Sequence, residues 1–253
     1  MRGRIAAIWG LTFREALRSR LFSLAIGFVG CLVLMVTPYA HATLGDPIAV
    51  IKHLGLAAAS LVSITVVMVA GSTFLQKEFT RKTIYLLLAR PLRRWEFLAG
   101  KFLGLTSVAT TLYGLMVVAV IGYAGLLEGR PDWRLLWVVP YGISELAIVS
   151  AITILFSAIV VTPVLNGMFA FGIWIVGRSH PWLTTAVESS SLPILRFILP
   201  ITPDLSALQV ADGLMYDEIP SVIHAAAGLG YGITFGLGLV MVAATLRGLA
   251  DIP

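Results

Sequence analysis

The 253-residue chain has few charged residues and only one cysteine. Charged side chains make up 12% of the sequence, about half of the roughly 25% that is typical of soluble domains. A chain of this size with so few charges cannot cover a water-exposed surface with polar groups, so the composition excludes a soluble globular protein. The single cysteine, Cys31, excludes an intrachain disulfide and leaves the redox compartment open.

Motifs for ATP binding and catalysis are also missing from the sequence. A P-loop needs the pattern G-x4-G-K-[ST], but the only Gly-Lys pair, Gly100-Lys101, is preceded by Trp95 at the first glycine position and followed by Phe102. The four histidines are scattered and form no H-x3-H pair, so we expect no metal and no cofactor bound by this chain. The sequence therefore predicts a protein that is not itself an enzyme.

Long apolar runs account for the composition. Hydrophobic residues make up 58% of the chain and the mean hydropathy is +0.93. A membrane span needs about 20 apolar residues to cross about 30 Å of hydrocarbon. Six runs are candidates: 21–37, 54–75, 102–127, 135–161, the short 164–176, and 222–246. We therefore predict one all-α, polytopic membrane domain over residues 1–253, with six transmembrane helices.

The distribution of lysine and arginine predicts the orientation. Residues 1–20, 76–101 and 247–253 hold 13 basic and 4 acidic residues, a net charge of +9. The segments on the other side hold 5 basic and 8 acidic residues, a net charge of −3. Because cytoplasmic loops carry the excess of positive charge, we expect a cell (inner) membrane protein with both termini cytoplasmic. This clustering beside apolar runs argues against nucleic-acid binding.

The N-terminal segment admits two interpretations. Residues 1–20 can form a helix on the inner membrane surface, with Trp9 and Phe13 against lipid and arginines toward the head groups. A signal peptide is the alternative, because Ala40-His41-Ala42 resembles a cleavage site. We favour the interfacial helix, since the basic region and the apolar run are both longer than a signal peptide usually has.

The loop 76–101 contains a short amphipathic segment. Residues 80–89 have helix-forming composition, and Pro91 ends the segment. Ile84, Leu87 and Leu88 share one face of a helix by their i, i+3, i+4 spacing. Cations flank this apolar ridge at Arg81, Lys82 and Arg90. The pattern fits a docking helix for a protein partner and equally an interfacial helix held by anionic lipid.

The same loop carries short motifs in a recognisable order. They are Lys77-Glu78, Arg81-Lys82-Thr83-Ile84, Leu87-Leu88, Arg90-Pro91, Arg94, Glu96-Phe97 and Gly100-Lys101. This series closely resembles the cytoplasmic loop of the type-2 ABC exporter permeases. The resemblance extends over residues 1 to about 105, and beyond them it rests on topology.

The resemblance implies that the loop 76–101 is a coupling helix that seats in an ABC ATPase. The implied coupling residues are Glu78, Arg81, Thr83, Ile84, Leu87, Leu88, Arg90, Pro91, Arg94 and Glu96. It further implies two ATPase subunits, which bind ATP and magnesium, and a second permease copy or a paralogue. Spans one and two then occupy 21–75, spans three to five 102–178, and span six with a cytoplasmic tail 222–253. The outer segment 179–221 is expected to re-enter the membrane as short pieces at 191–199 and 203–210.

Glu145 is the candidate pathway residue, because a carboxylate within a span is a functional hypothesis by default. We favour a structural role, in which the helix starts at Pro140-Tyr141-Gly142 and Glu145 lies in its first turn, near the outer surface, where the helix dipole favours a carboxylate. Its candidate partners are Arg130, Arg134, Arg178 and Arg196.

The function that these features favour is the permease subunit of an ATP-driven ABC exporter. One alternative is a membrane scaffold or maturation factor that uses the same fold without export. An ion-coupled secondary transporter is a weaker alternative, because such proteins favour several intramembrane ionisable groups or an inverted repeat. The sequence shows one ambiguous carboxylate and no convincing repeat.

Overall fold

The computed structural model describes residues 2–19, 46–80, 94–159, 162–189, 202–215 and 219–246, with a few positions between 20 and 45. Across these residues the fold is helical and contains no strand, as predicted. The helices are α1 (Arg2–Leu17), α2 (Pro47–Thr80), α3 (Arg94–Glu128), α4 (Val138–Ile159), α5 (Pro163–Arg178), α6 (His180–Ser189), α7 (Ala211–Met215) and α8 (Val222–Thr245). Two 3-10 turns accompany them, Trp133–Trp137 before α4 and Ser206–Leu208 before α7.

Four of the described helical segments are long and apolar enough to cross a membrane. They are Pro47–Thr73, Trp95–Glu128, Trp133–Ile159 and Val222–Thr245, and they correspond to the predicted runs 54–75, 102–127, 135–161 and 222–246. The predicted first span, 21–37, lies largely outside the described residues. The predicted fifth span is α5, whose 16 residues extend about 24 Å, less than the hydrocarbon thickness of about 30 Å.

Helices α2 and α3 run antiparallel and in close contact. A Cβ added at Gly55 would lie 2.9 Å from Val120, and one added at Gly71 would lie 2.9 Å from Leu105. Residue numbers therefore rise along α2 as they fall along α3, so the ends that flank residues 81–93 lie together. We call this end of the bundle the loop end and the opposite one the far end.

Helix α4 occupies the centre of the bundle and contacts α2, α3, α5 and α8. In the apolar 18-residue stretch of the segment Trp133–Ile159, which contains α4, 72% of the residues are buried, against 22% in the corresponding stretch of α8. The α4–α8 contact is close, because a Cβ added at Gly232 would lie 2.5 Å from Ser144 Cα. The Ser144 hydroxyl also donates a hydrogen bond of 2.8 Å to the Gly228 carbonyl. Small residues allow such close approach of helices in lipid.

The N-terminal helix α1 packs lengthwise along the first turns of α3. A Cβ added at Gly100 would lie 2.8 Å from Ile8, and one added at Gly104 would lie 2.6 Å from Thr12. The two helices are therefore parallel there. The predicted helix in this segment is confirmed, while its position on the inner membrane surface stays a prediction.

Candidate membrane-embedded polar site

Most of the predicted coupling residues lie in the segment 81–93, outside the described residues. They are Arg81, Thr83, Ile84, Leu87, Leu88, Arg90 and Pro91. Two others, Glu78 and Arg94, belong by their backbone to the last turns of α2 and the first turn of α3. Glu96 lies in the first turn of α3 and is buried. Their roles in coupling stay predictions.

Glu145 lies deep in the bundle, and its predicted place in the first helical turn is wrong. Helix α4 begins at Val138, so Glu145 is its eighth residue. Its neighbour Ser60 stands midway along the candidate span Pro47–Thr73. The carboxylate is therefore near mid-depth of the spans and not near the outer surface.

The early start of the helical segment explains this error. The 3-10 turn Trp133–Trp137 precedes α4 directly, and Asp132 caps it by accepting a hydrogen bond from the Arg134 backbone N–H. Pro140 falls in the first turn of α4, a position at which helices tolerate proline. The proline is thus tolerated inside the helix and does not mark its beginning.

Three side chains donate hydrogen bonds to the Glu145 carboxylate. Oε1 accepts from Trp174 Nε1 at 2.9 Å and from Arg178 Nη1 at 2.8 Å, and Oε2 accepts from Ser60 Oγ at 3.3 Å. The Arg178 guanidinium also lies 5.5 Å from the centroid of the Trp174 ring, a cation–π arrangement. Of the arginines considered from the sequence, Arg178 is thus the partner. This pairing accounts for a carboxylate that is 5% exposed, because a buried charge needs a counter-charge and hydrogen bonds.

A polar cavity of about 210 Å³ opens beside the ion pair. Its polar lining residues are His53, Ser60, Tyr113, Glu145, Arg178 and Gln209, and apolar residues form the rest of its wall. The Tyr113 ring is buried and packs directly on Gly142, which leaves no room for a Cβ there. The cavity thus brings residues of α2, α3, α4 and α5 together at one depth.

The segment 202–215 closes the site from the far end. The Leu205 backbone N–H donates to the Gly177 carbonyl at 3.0 Å, at the end of α5. Leu208 and Val210 line both the polar cavity and a second, mostly apolar cavity of about 680 Å³. Of the two predicted re-entrant pieces, 203–210 therefore packs against the short helix, and 191–199 lies outside the described residues.

A second charged group joins the far ends of α2 and α3. Lys52 Nζ lies 2.9 Å from Glu128 Oε2 and 3.0 Å from Asp132 Oδ2, and its side chain is 10% exposed. Sequence reasoning missed this contact. The available signal was a lysine close to the start of an apolar run, with two acids at the end of the next run along the chain.

A third polar group, also missed from the sequence, joins α4 and α5 nearer the loop end. Asn166 Nδ2 donates to the Thr153 carbonyl at 3.3 Å and to Ser157 Oγ at 2.5 Å. Asn166 is 1% exposed, and its Oδ1 has no partner among the described residues. Polar groups on α4 therefore face α2 and α5 at two depths of the bundle.

The arrangement is suited to binding a polar group inside the membrane. Glu145 and Arg178 balance each other's charge, and the cavity adds hydroxyl groups from Ser60 and Tyr113. Within the part of the chain that the structure describes, no group of three or more histidine, cysteine or acidic residues could hold a metal.

Comparison with known proteins assigns most of this architecture to one family. A family model described as ABC-2 family transporter protein matches residues 7–178, more than half of the chain. The matched range runs from α1 to the end of α5, so it includes the loop 76–101, Glu145 and Arg178. Among curated proteins, none matches the chain.

Proposed function

The chain belongs to the ABC-2 family of transporter proteins, and from this premise we propose that it is the permease subunit of an ATP-driven exporter. The family and the four apolar helices make it a multi-pass membrane transport component. Our proposal adds two statements to this family assignment: that transport is export, and that the chain is coupled to an ATPase.

The loop 76–101 is the element through which we propose that ATP hydrolysis acts. The observation that carries the proposal is the antiparallel packing of α2 and α3, which brings both ends of this loop to one side of the bundle. A movement of the loop would therefore act on two long helices at once. The ridge of Ile84, Leu87 and Leu88 is the surface that seats in the ATPase.

The proposed complex contains two permease chains and two ATPase subunits. The permease partner is a second copy or a paralogue, and together the two chains form the substrate pathway. The ATPase subunits bind ATP and magnesium, because the permease sequence contains no P-loop. Closure of the ATPases would then rock the spans between inward and outward openings.

Six spans with cytoplasmic termini complete the proposal. The charge difference of +9 against −3 supports a cytoplasmic loop end, and the short α5 beneath the segment 202–215 supports a re-entrant outer segment. Cysteine is introduced singly as Thr80→Cys or Ser190→Cys in a variant without Cys31. A thiol reagent should label the two cysteines from opposite sides of the membrane. Labelling of both from outside in intact cells would contradict this orientation.

Purification in mild detergent tests the function. We expect a tagged chain to retain an ATPase that contains a Walker A motif, and the complex to hydrolyse ATP. After removal of that subunit the chain alone should show only background turnover. ATP hydrolysis by the isolated chain, or a stable and active transporter without any ATPase, would contradict the proposal.

A further inference from the structure

The polar cavity beside Glu145 and Arg178 has the properties of a ligand site. It lies near mid-depth of the spans, which is also the depth at which secondary transporters bind their substrates. Its volume of about 210 Å³ is well above the about 10–15 Å³ that a single water needs. A group of several non-hydrogen atoms therefore fits beside the ion pair.

The hydrogen-bond donors and acceptors of the site are unequally used. An arginine side chain has five N–H donors, but towards the described residues the Arg178 guanidinium donates one hydrogen bond, to Glu145. The carboxylate already accepts from three side chains. The Tyr113 hydroxyl adds a further donor group on the cavity wall. Gln209 and His53 also line the cavity, and the Gln209 amide already donates to the Arg178 carbonyl at 3.5 Å, which leaves its oxygen as an acceptor. Within the described residues, a ligand therefore meets more unused donors, four of them on Arg178, than unused acceptors.

This imbalance decides between a cationic and an anionic ligand. A cation would have to displace Arg178 from Glu145 and leave a guanidinium without its partner. An oxygen anion can add to the unused N–H groups while the ion pair stays intact, because one guanidinium can donate to two acceptors. Arginine is also the side chain that best matches phosphate and carboxylate geometry.

We propose that this cavity binds a singly charged oxygen group, a phosphodiester or a carboxylate, with Arg178 as its main donor and Tyr113 as a second. A single charge is favoured because Glu145 already neutralises Arg178 and would repel a multiply charged anion. Only the further statement that this group belongs to a transported substrate rests on the proposed function. The group can be part of a membrane lipid or of a small soluble molecule.

Thermal unfolding of the purified full chain in detergent tests the site with simple probes. Dimethyl phosphate and acetate should raise the unfolding temperature in a saturable way, and methylammonium chloride at equal ionic strength should not. Arg178→Lys keeps the charge opposite Glu145 but loses the fork of donors, so affinity for both anions should fall about tenfold or more. Tyr113→Phe keeps the ring on Gly142 and should cause a smaller loss.

Arg130→Lys is the matched control, because Arg130 is exposed and lies outside the cavity lining. It should bind the anions like the wild type. Equal stabilisation by methylammonium, or unchanged anion affinity in a folded Arg178→Lys variant, would overturn the proposal. The same loss in Arg130→Lys would do so too, since it would reveal a general charge effect.

A second measurement distinguishes a lipid from a soluble molecule as the source of the bound oxygen group. Native mass spectrometry should show phospholipid retained by the wild type and lost from Arg178→Lys if the ligand is a lipid. Saturable binding of the soluble probes without retained phospholipid would indicate a soluble ligand. Because neither measurement involves ATP or an ATPase, anion binding can be confirmed even if the exporter proposal fails, and it can be refuted while ATPase co-purification stands.

Discussion

The site at Glu145 and the loop 76–101 combine the same kinds of residue in opposite surroundings. Inside the bundle, an ion pair stands among apolar side chains. In the loop, the sequence predicts an apolar ridge flanked by cations, and we propose that this ridge lies outside the membrane. A charge is costly without a partner in the membrane, whereas in water an ion pair contributes little and apolar burial contributes most. The residues that matter should therefore be the charged ones in the first region and the leucines in the second.

The strongest effect on the folded bundle should come from breaking the ion pair. Arg178→Ala leaves the Glu145 carboxylate buried without a counter-charge. We expect a loss of about 3 kcal/mol, at the lower end for buried pairs, because the Arg178 side chain is 32% exposed. Thermal unfolding in detergent, followed by monomer recovery in size exclusion, measures the loss.

Arg130→Ala is the control for that experiment, since this arginine is exposed. Its effect should stay within about 0.5 kcal/mol. Equal unfolding temperatures for the two variants would show that the charge pair does not stabilise the bundle. The statement that charged residues matter most at the Glu145 site would then be wrong.

A smaller effect should follow from disturbing the close contact between α4 and α8. Gly232→Ala would place a Cβ 2.5 Å from Ser144 Cα, and overpacking of this kind costs about 1–3 kcal/mol. Gly230→Ala on the same helix meets nothing within 4 Å, so we expect no loss of stability. Melting temperatures of the two variants make a matched test, and an equal drop would show that helix-wide effects of alanine outweigh packing.

The spans could be predicted from the sequence because long apolar runs are a local property. The final run was predicted as 222–246, and α8 is Val222–Thr245. The short length of the fifth run could also be predicted, because a proline at residue 163 and an arginine at residue 178 limit it on either side. Helix α6 was not predicted, because its sequence His180–Ser189 is polar at several positions and resembles a loop.

The polar site could be predicted only in part. Glu145 was identified because a carboxylate stands out in an apolar run, but its depth depended on where α4 begins. The choice of Arg178 among four arginines depends on how α5 packs against α4, a tertiary contact that periodicity does not encode. Lys52 was missed for the same reason, since its acids lie at the end of another helix.

The ATPase contact of the loop is the central claim, and a pair of variants tests it most directly. Leu87→Asp should abolish co-purification of the ATPase, because truncating a buried leucine at a packed contact costs about 2–5 kcal/mol and a buried carboxylate adds to that. Arg81→Ala should weaken retention only modestly, since an exposed ion pair is worth about 0–1 kcal/mol.

The salt dependence separates this account from anchoring of the loop to anionic lipid, where each cation contributes about 1 kcal/mol near the surface. The measurement is the amount of ATPase retained by each variant at low and at high salt, with monodisperse elution as the check on folding. The account predicts that Leu87→Asp loses the ATPase at both salt concentrations while Arg81→Ala keeps most of it. A folded Leu87→Asp variant that retains the ATPase as well as the wild type would contradict the claim.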